Sequence, residues 1–92
     1  MPSQPRTDDP TTRFLVRAEP IAGLSARVLG EFAKRDLLPD LFEARVSGGE
    51  LDMRVDCRGL DRTAAAHVAL VLANFPGVRE ARLLPARLSA AA

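Results

Sequence analysis

The chain has 92 residues, with 13 Lys and Arg set against 12 Asp and Glu. A single small domain of this length buries about two thirds of its unfolded surface, so covering one face with a second copy would add to a modest margin. A net charge of +1, no Trp or Tyr and only four Phe leave no strong field for nucleic acid or an anionic membrane, and few rings on which bases could stack. The lone cysteine, Cys57, rules out an internal disulfide and a cysteine metal cluster, which fits a reducing cytoplasm.

The opening MPSQPRTDDPTTR carries Pro2, Pro5 and Pro10 and has no apolar run, so it reads as neither a signal peptide nor a membrane span. Residues 1–12 are expected to be a disordered leader, 13–84 the folded domain and 85–92 a tail that does not join the core as a strand.

Residues 13–18 alternate, with Phe14, Val16 and Ala18 on one face and Arg13, Leu15 and Arg17 on the other, which predicts a half-buried strand. The period then changes. Ile21, Leu24, Val28, Leu29 and Phe32 share one side of a predicted helix, with Ser25 inside the arc and Arg27, Gly30 and Lys34 pointing away. Pro20 suits a first helical turn and Gly23 suits a later start. A strand, tight turn and helix start gather backbone N–H groups and the positive end of a helix dipole, so this turn is where a small ligand would sit.

The helix should end near Arg35, with Asp36 left-handed and Pro39 blocking continuation. A second strand is predicted over 41–46, with Phe42, Ala44 and Val46 inward. Ser47-Gly48-Gly49-Glu50 reads as a hairpin turn. The strand over 51–56 places Leu51, Met53 and Val55 inward. Asp61 is the expected N-cap of a helix over 62–74, whose apolar stripe is Ala64, Ala65, Val68, Val71, Leu72 and Phe75. Phe75-Pro76-Gly77 stops that helix, and a last strand follows over 78–84.

The order is βαββαβ. Right-handed crossovers then put both helices on one face of a four-stranded antiparallel sheet, an α+β ferredoxin-like sandwich. The opposite face carries Arg13, Arg17, Arg45, Arg54 and Arg82 with Glu43, Asp52 and Asp56, whose charges can pair across strands.

The strand FLVRAE, the turn and helix PIAGLSARVLGEFAKRDL, and the later FPGVREARLL resemble the ACT domain, a βαββαβ regulatory module of enzymes in amino-acid metabolism. The likeness spans residues 13–84 and is closest to the short type that serves as the small regulatory subunit of acetolactate synthase. Gly23, Leu24, Arg27 and Val28 match the family's turn and helix start. Pro20 stands where the family carries Asn or Asp, the residue that helps hold the amino group of a bound amino acid, and Ser25 stands where it carries leucine. The resemblance implies a non-catalytic, allosteric module without a cofactor. Such a module forms a homodimer through strand edges or helices, binds an amino-acid effector at that interface and modulates a biosynthetic enzyme. Its ligand-binding residues would be Glu19, Ile21, Ala22, Gly23 and Leu24. The alternative is a pairing or interaction module without a ligand.

Each candidate has a plainer reading. Gly23 is needed either to expose backbone donors or only for a tight turn or close packing. Glu19 either receives an amino group or is a solvated loop carboxylate. His67 borders the second helix's stripe, has no companion ligand and reads as structural, so no metal site is expected. Cys57 has the inward phase of a buried small hydrophobe. RNA-recognition modules share the βαββαβ order but place aromatics on the open sheet face, where this chain has Arg13, Leu15, Arg17, Asp52, Arg54 and Asp56. No catalytic triad or carboxylate pair suggests an enzyme. An acylphosphatase-like site would need an asparagine near a phosphate-binding turn, and the only asparagine, Asn74, lies at a helix end. Leu15, Leu70 and Leu84 point outward and are candidates for an interface.

Overall fold

The computed structural model describes residues 11–86. Its elements run β1 (Thr11–Ala18), α1 (Leu24–Lys34), β2 (Leu41–Ser47), β3 (Glu50–Arg58), α2 (Arg62–Ala73) and β4 (Val78–Ala86). The sheet is antiparallel throughout, in the order β2-β3-β1-β4. This is the expected ferredoxin-like βαββαβ arrangement. β1 starts two residues before the predicted strand, and β4 reaches Ala86 instead of stopping at Leu84. Pro85 is tolerated there because β4 is an edge strand, where a missing N–H costs no ladder bond. Of the expected leader over 1–12 and tail over 85–92, Thr11, Thr12, Pro85 and Ala86 belong to β1 and β4, and residues 1–10 and 87–92 lie outside the described residues.

The core is a layer of side chains between the sheet and the helices. Phe14, Val16 and Ala18 from β1 and Leu51, Met53, Val55 and Cys57 from β3 meet Leu24, Val28 and Phe32 from α1. Ala65, Val68 and Leu72 from α2 complete it. Phe14 and Phe32 pack edge-to-face, with ring centroids 5.2 Å apart. Phe42 and Phe75 pack against the margin of this cluster. Asp61 caps α2 as expected, its Oδ1 accepting the Ala64 N–H at 2.7 Å. α1 ends at Lys34, and Asp36 takes the left-handed conformation.

Three features depart from the sequence pattern. Ala44 and Val46 lie on the helix side of the sheet, as their alternation requires, yet both are exposed, Val46 by 64%. β2 is the outer strand, and neither helix reaches over that stretch. Glu31 is buried on α1, although it falls outside the predicted apolar arc. Its carboxylate is balanced within the helix: Oε1 lies 3.3 Å from Lys34 Nζ. Oε2 lies 2.7 Å from Arg35 Nη2, a Coulomb contact poorly aligned for a hydrogen bond. Third, the β1–β4 register slips between Arg17 and Ala18, leaving Arg79 as an extra residue in β4.

The open face is a charge lattice, as the pattern predicts. Arg13 and Arg54 both donate to Asp56, at 2.9 Å to Oδ1 and Oδ2 respectively. Arg17 and the bulged Arg79 share Glu50, at 3.3 and 2.7 Å. Arg58 and Asp40 form a two-pronged pair at 3.0 Å. Burial pushes the Asp56 carboxyl pKa up, but the hydrogen bonds from Arg13 and Arg54 outweigh it and hold the pKa below the usual carboxylate value. Burial also pushes the Cys57 thiol up, helped by the charge of Asp40, so the thiolate is disfavoured.

Two outcomes follow from these environments. A depressed folded pKa means that Asp56 contributes stability above its unfolded value, and that this is lost as pH falls through the folded one. Asp56→Asn should therefore cost about 1 kcal/mol at neutral pH, discounted for half-exposed arginine partners. It should also flatten the acid limb of the stability curve, both read by urea unfolding at pH 7 and pH 3. Cys57 should resist a thiol reagent in the native protein and react at the rate of a free thiol once the chain is unfolded.

Candidate functional site

The candidate turn joins β1 to α1 and lies against the turn that joins α2 to β4. Glu19 N–H donates to the Gly77 carbonyl at 2.8 Å, which pins the end of β1 to the second turn. Ile21 N–H returns to Glu19 O at 2.8 Å, and Leu24 N–H to Ile21 O at 3.1 Å, so the backbone folds tightly before the helix begins. Gly23 is the residue immediately before α1, at φ +88°, and Arg27 N–H donates to its carbonyl at 3.0 Å. Of the two predicted helix starts the later one holds, and Pro20 lies outside the helix.

The space around Gly23 bears on one part of its plainer reading, close packing. A Cβ placed there would meet no atom within 4 Å, so the glycine serves the left-handed backbone and not close packing. Gly77 is the reverse case, where a Cβ would lie 2.6 Å from Ile21 Cδ1. Ile21 does not take the expected place on the inward arc of the helix. Instead it precedes the helix, is 44% exposed, and lies over Gly77. Arg27, which the helical period turns outward, stacks its guanidinium 5.1 Å above the Phe75 ring. These two contacts join positions some fifty residues apart, so no local signal in the sequence shows them.

Of the five named residues, Glu19, Ile21, Ala22 and Gly23 are exposed together on the turn, while the Leu24 side chain is buried in the core beneath it. No side chain caps α1. The N–H groups of Ser25 and Ala26 have no protein acceptor among the described residues, and Glu19 has no ion-pair partner there. Among the described residues the turn thus carries backbone donors without an acceptor at a helix N-terminus and, a few residues earlier, a carboxylate without an ion-pair partner. It is open to solvent on its outer side. Shallow depressions lie elsewhere, on the open sheet face to either side of Leu15, and are lined mainly by paired charges such as Arg17, Asp52 and Arg54.

The other candidates take ordinary places. His67 is exposed on α2, and Asn74 follows α2 with its Nδ2 donating to Leu70 O at 2.8 Å. Leu70 is 62% exposed, whereas Leu15 and Leu84 are half-buried on the open face. Among the described residues no group of three or more His, Cys, Asp or Glu is placed to hold a metal ion. No described helix is long and apolar enough to cross a membrane.

No family model matches the chain, and no curated protein matches it. Solved structures do. The C-terminal domain of the MgtC protein from Mycobacterium tuberculosis superposes with a TM-score of 0.73 at 11% identity, over 90% of this chain and 94% of that one. The ACT domain of GTP pyrophosphokinase from Chlorobium tepidum gives 0.72 at 14% identity, over 83% and 99%. The regulatory subunit of aspartate kinase from Thermus flavus gives 0.63 at 25% identity, over 84% of this chain but 52% of that subunit. The fold is that of the ACT domain, as the sequence resemblance implied.

The contrast between the two glycines is measurable. Gly77→Ala should destabilise by about 1–2 kcal/mol, chiefly through its left-handed backbone, with a smaller cost for turning aside the half-exposed Ile21 Cδ1. Adding Ile21→Ala should recover part of that loss. Gly23→Ala should cost only the backbone term, about 1 kcal/mol, and adding Ile21→Ala should recover none of it, all read by urea unfolding.

Proposed function

We propose that this chain is a non-catalytic regulatory module that binds a free amino acid at the β1–α1 turn and, through it, biases a partner biosynthetic enzyme. One observation carries the reading. Among the described residues the N–H groups of Ser25 and Ala26, at the positive end of α1, have no protein acceptor, and Glu19, on the same exposed turn, has no ion-pair partner. An α-amino acid presents the complementary pair, a carboxylate for the donors and an ammonium for the acid. Ile21 and Ala22 supply an apolar wall, Gly23 keeps the mouth open, and Leu24 anchors the turn to the core. The same fold in a GTP pyrophosphokinase and an aspartate kinase regulatory subunit supports the regulatory class.

The turn covers a ligand from one side only, so the second wall belongs to another copy, and the binding unit is a homodimer. Coupling then follows from differential affinity: an effector that fits one arrangement of the pair better shifts the population toward it. Pro20 favours a second reading. It leaves the turn without the family's polar side chain, and a module that pairs without a ligand would need none there.

Thermal unfolding against each of the twenty amino acids separates the two readings. A ligand that binds only the native state raises the midpoint with its concentration, by about 2.7 kcal/mol of stability at a hundredfold excess over Kd. The shift should appear for one class of amino acid and vanish in Gly23→Asn, which keeps the left-handed backbone but fills the mouth. An absence of any shift at millimolar ligand would leave the pairing module as the function.

A further inference from the structure

The slip between β1 and β4 places one side chain that regular alternation would not. Val78 pairs with Ala18 and packs against the core, while Glu80 pairs with Arg17 on the open face. The extra residue between them, Arg79, also reaches the open face, and re-aiming a side chain is what a bulge does. Arg79 Nη1 donates to Glu50 Oε2 at 2.7 Å, and Glu50 Oε1 lies 3.3 Å from Arg17 Nε. Glu50 opens β3 directly after the Gly48-Gly49 loop and pairs with Ser47 across the hairpin. Because β1 lies between β4 and β3, the Arg79–Glu50 contact reaches over the end of β1, two strand spacings or about 10 Å.

Two residues before Arg79, the Gly77 carbonyl accepts the Glu19 N–H, and Ile21 lies over Gly77. The short segment from Gly77 to Arg79 is therefore held at one end by the candidate turn and at the other by an acid of the hairpin. Only Val78 stands between them. We infer that Arg79 is a positioning residue, and that its bond to Glu50 couples the β1–α1 turn to the β2–β3 hairpin. Without the Glu50 anchor the start of β4 is freer, and the Gly77 carbonyl is held less firmly under Glu19. In the other direction, a turn that shifts Glu19 or Ile21 moves Gly77 and bears on the Arg79–Glu50 bond. Coupling between two sites is reciprocal, so each of them reports on the other. Arg17 cannot supply the same link. It shares Glu50, but it belongs to β1, whose register is held by ladders on both edges.

This inference rests on the reading above for what the turn holds, and on geometry alone for the coupling. The test is amide hydrogen exchange by NMR on the full chain, with the Glu19 N–H as the probe of the turn. Glu50→Gln and Arg79→Gln should each speed its exchange about two- to fivefold, the worth of a part-exposed ion pair. That rise should exceed any change at amides that open only on global unfolding. Arg79→Lys keeps the charge and should retain part of the protection. The double variant should exchange no faster than either single one, because the same interaction is removed only once. Asp52→Asn takes an acid from Arg17 on the same face and should leave the Glu19 amide unchanged. Unchanged exchange in both single variants, additive effects in the double one, no protection retained by Arg79→Lys, or an equal rise in Asp52→Asn would each overturn the coupling. If the coupling holds and no amino acid moves the thermal midpoint, only the sensing reading falls. If an amino acid moves the midpoint and the Glu19 amide ignores Glu50, only this inference falls.

Discussion

β1 is hydrogen-bonded along both edges, and that double constraint holds the rest of the molecule in place. Each of its side chains must suit two neighbouring strands and one face at once. Phe14 meets the requirement on the inner face by packing between Val55 and Leu83 in the register and edge-to-face on Phe32 above. Arg13 and Arg17 meet it on the outer face by reaching acids on β3. A slip of one residue would exchange Phe14 for Arg13 in the core and strip every outer ion pair. The fixed register of β1 in turn fixes where its C-terminal end delivers the turn, and so where that turn can meet the α2–β4 connection.

What the sequence makes legible is what local chemistry decides. Period-two alternation identifies the inner residues of β1 and β3, and a carboxylate three residues ahead of a backbone N–H identifies the Asp61 cap. Paired glycines place the hairpin, and Asp36 takes the left-handed position. The misses share a cause of another kind. Whether Ala44 and Val46 are covered depends on how far a helix extends over an edge strand, which alternation cannot express. Glu31 is buried because Lys34 and Arg35 reach back along α1, so a charge occupies a place that a purely apolar stripe would deny it. The Arg79 bulge and the Ile21–Gly77 approach belong to the meeting of distant segments. In the candidate site the location of the turn and its backbone donors at the helix start are legible, whereas Arg27 over Phe75 is not.

The same topology serves nucleic-acid readers, which stack bases on aromatics of the open face. Here the central row of that face is Glu43, Arg54, Leu15 and Arg82, with no ring on which a base could stack. Most of its arginines are already engaged: Arg13 and Arg54 on Asp56, Arg17 on Glu50 and Asp52. Releasing them to bind phosphate would leave those acids unpaired, Asp56 among them in a largely buried place. The face is held together by its own charges, and a shared fold is no guide to a shared partner.

Function is better sought where backbone groups lack partners, because the chain must satisfy them with water or with something else. Among the described residues such places include the start of α1 and the outer edges of the sheet, of which the β2 edge concerns the turn. The turn and the Val46 end of that edge lie at the same end of the sheet. Ala18, the last residue of β1, pairs with Leu51, and Leu51 pairs with Val46. At the usual strand spacing the end of β1 is therefore about 10 Å from the β2 edge. If the binding unit is the homodimer of the proposed reading, a second copy on that edge would stand about two strand spacings from the end of β1, close enough for an effector at the turn to bear on how the copies pair. In a domain this small, with few internal contacts to spare, coupling a ligand to an interface requires little more than this adjacency.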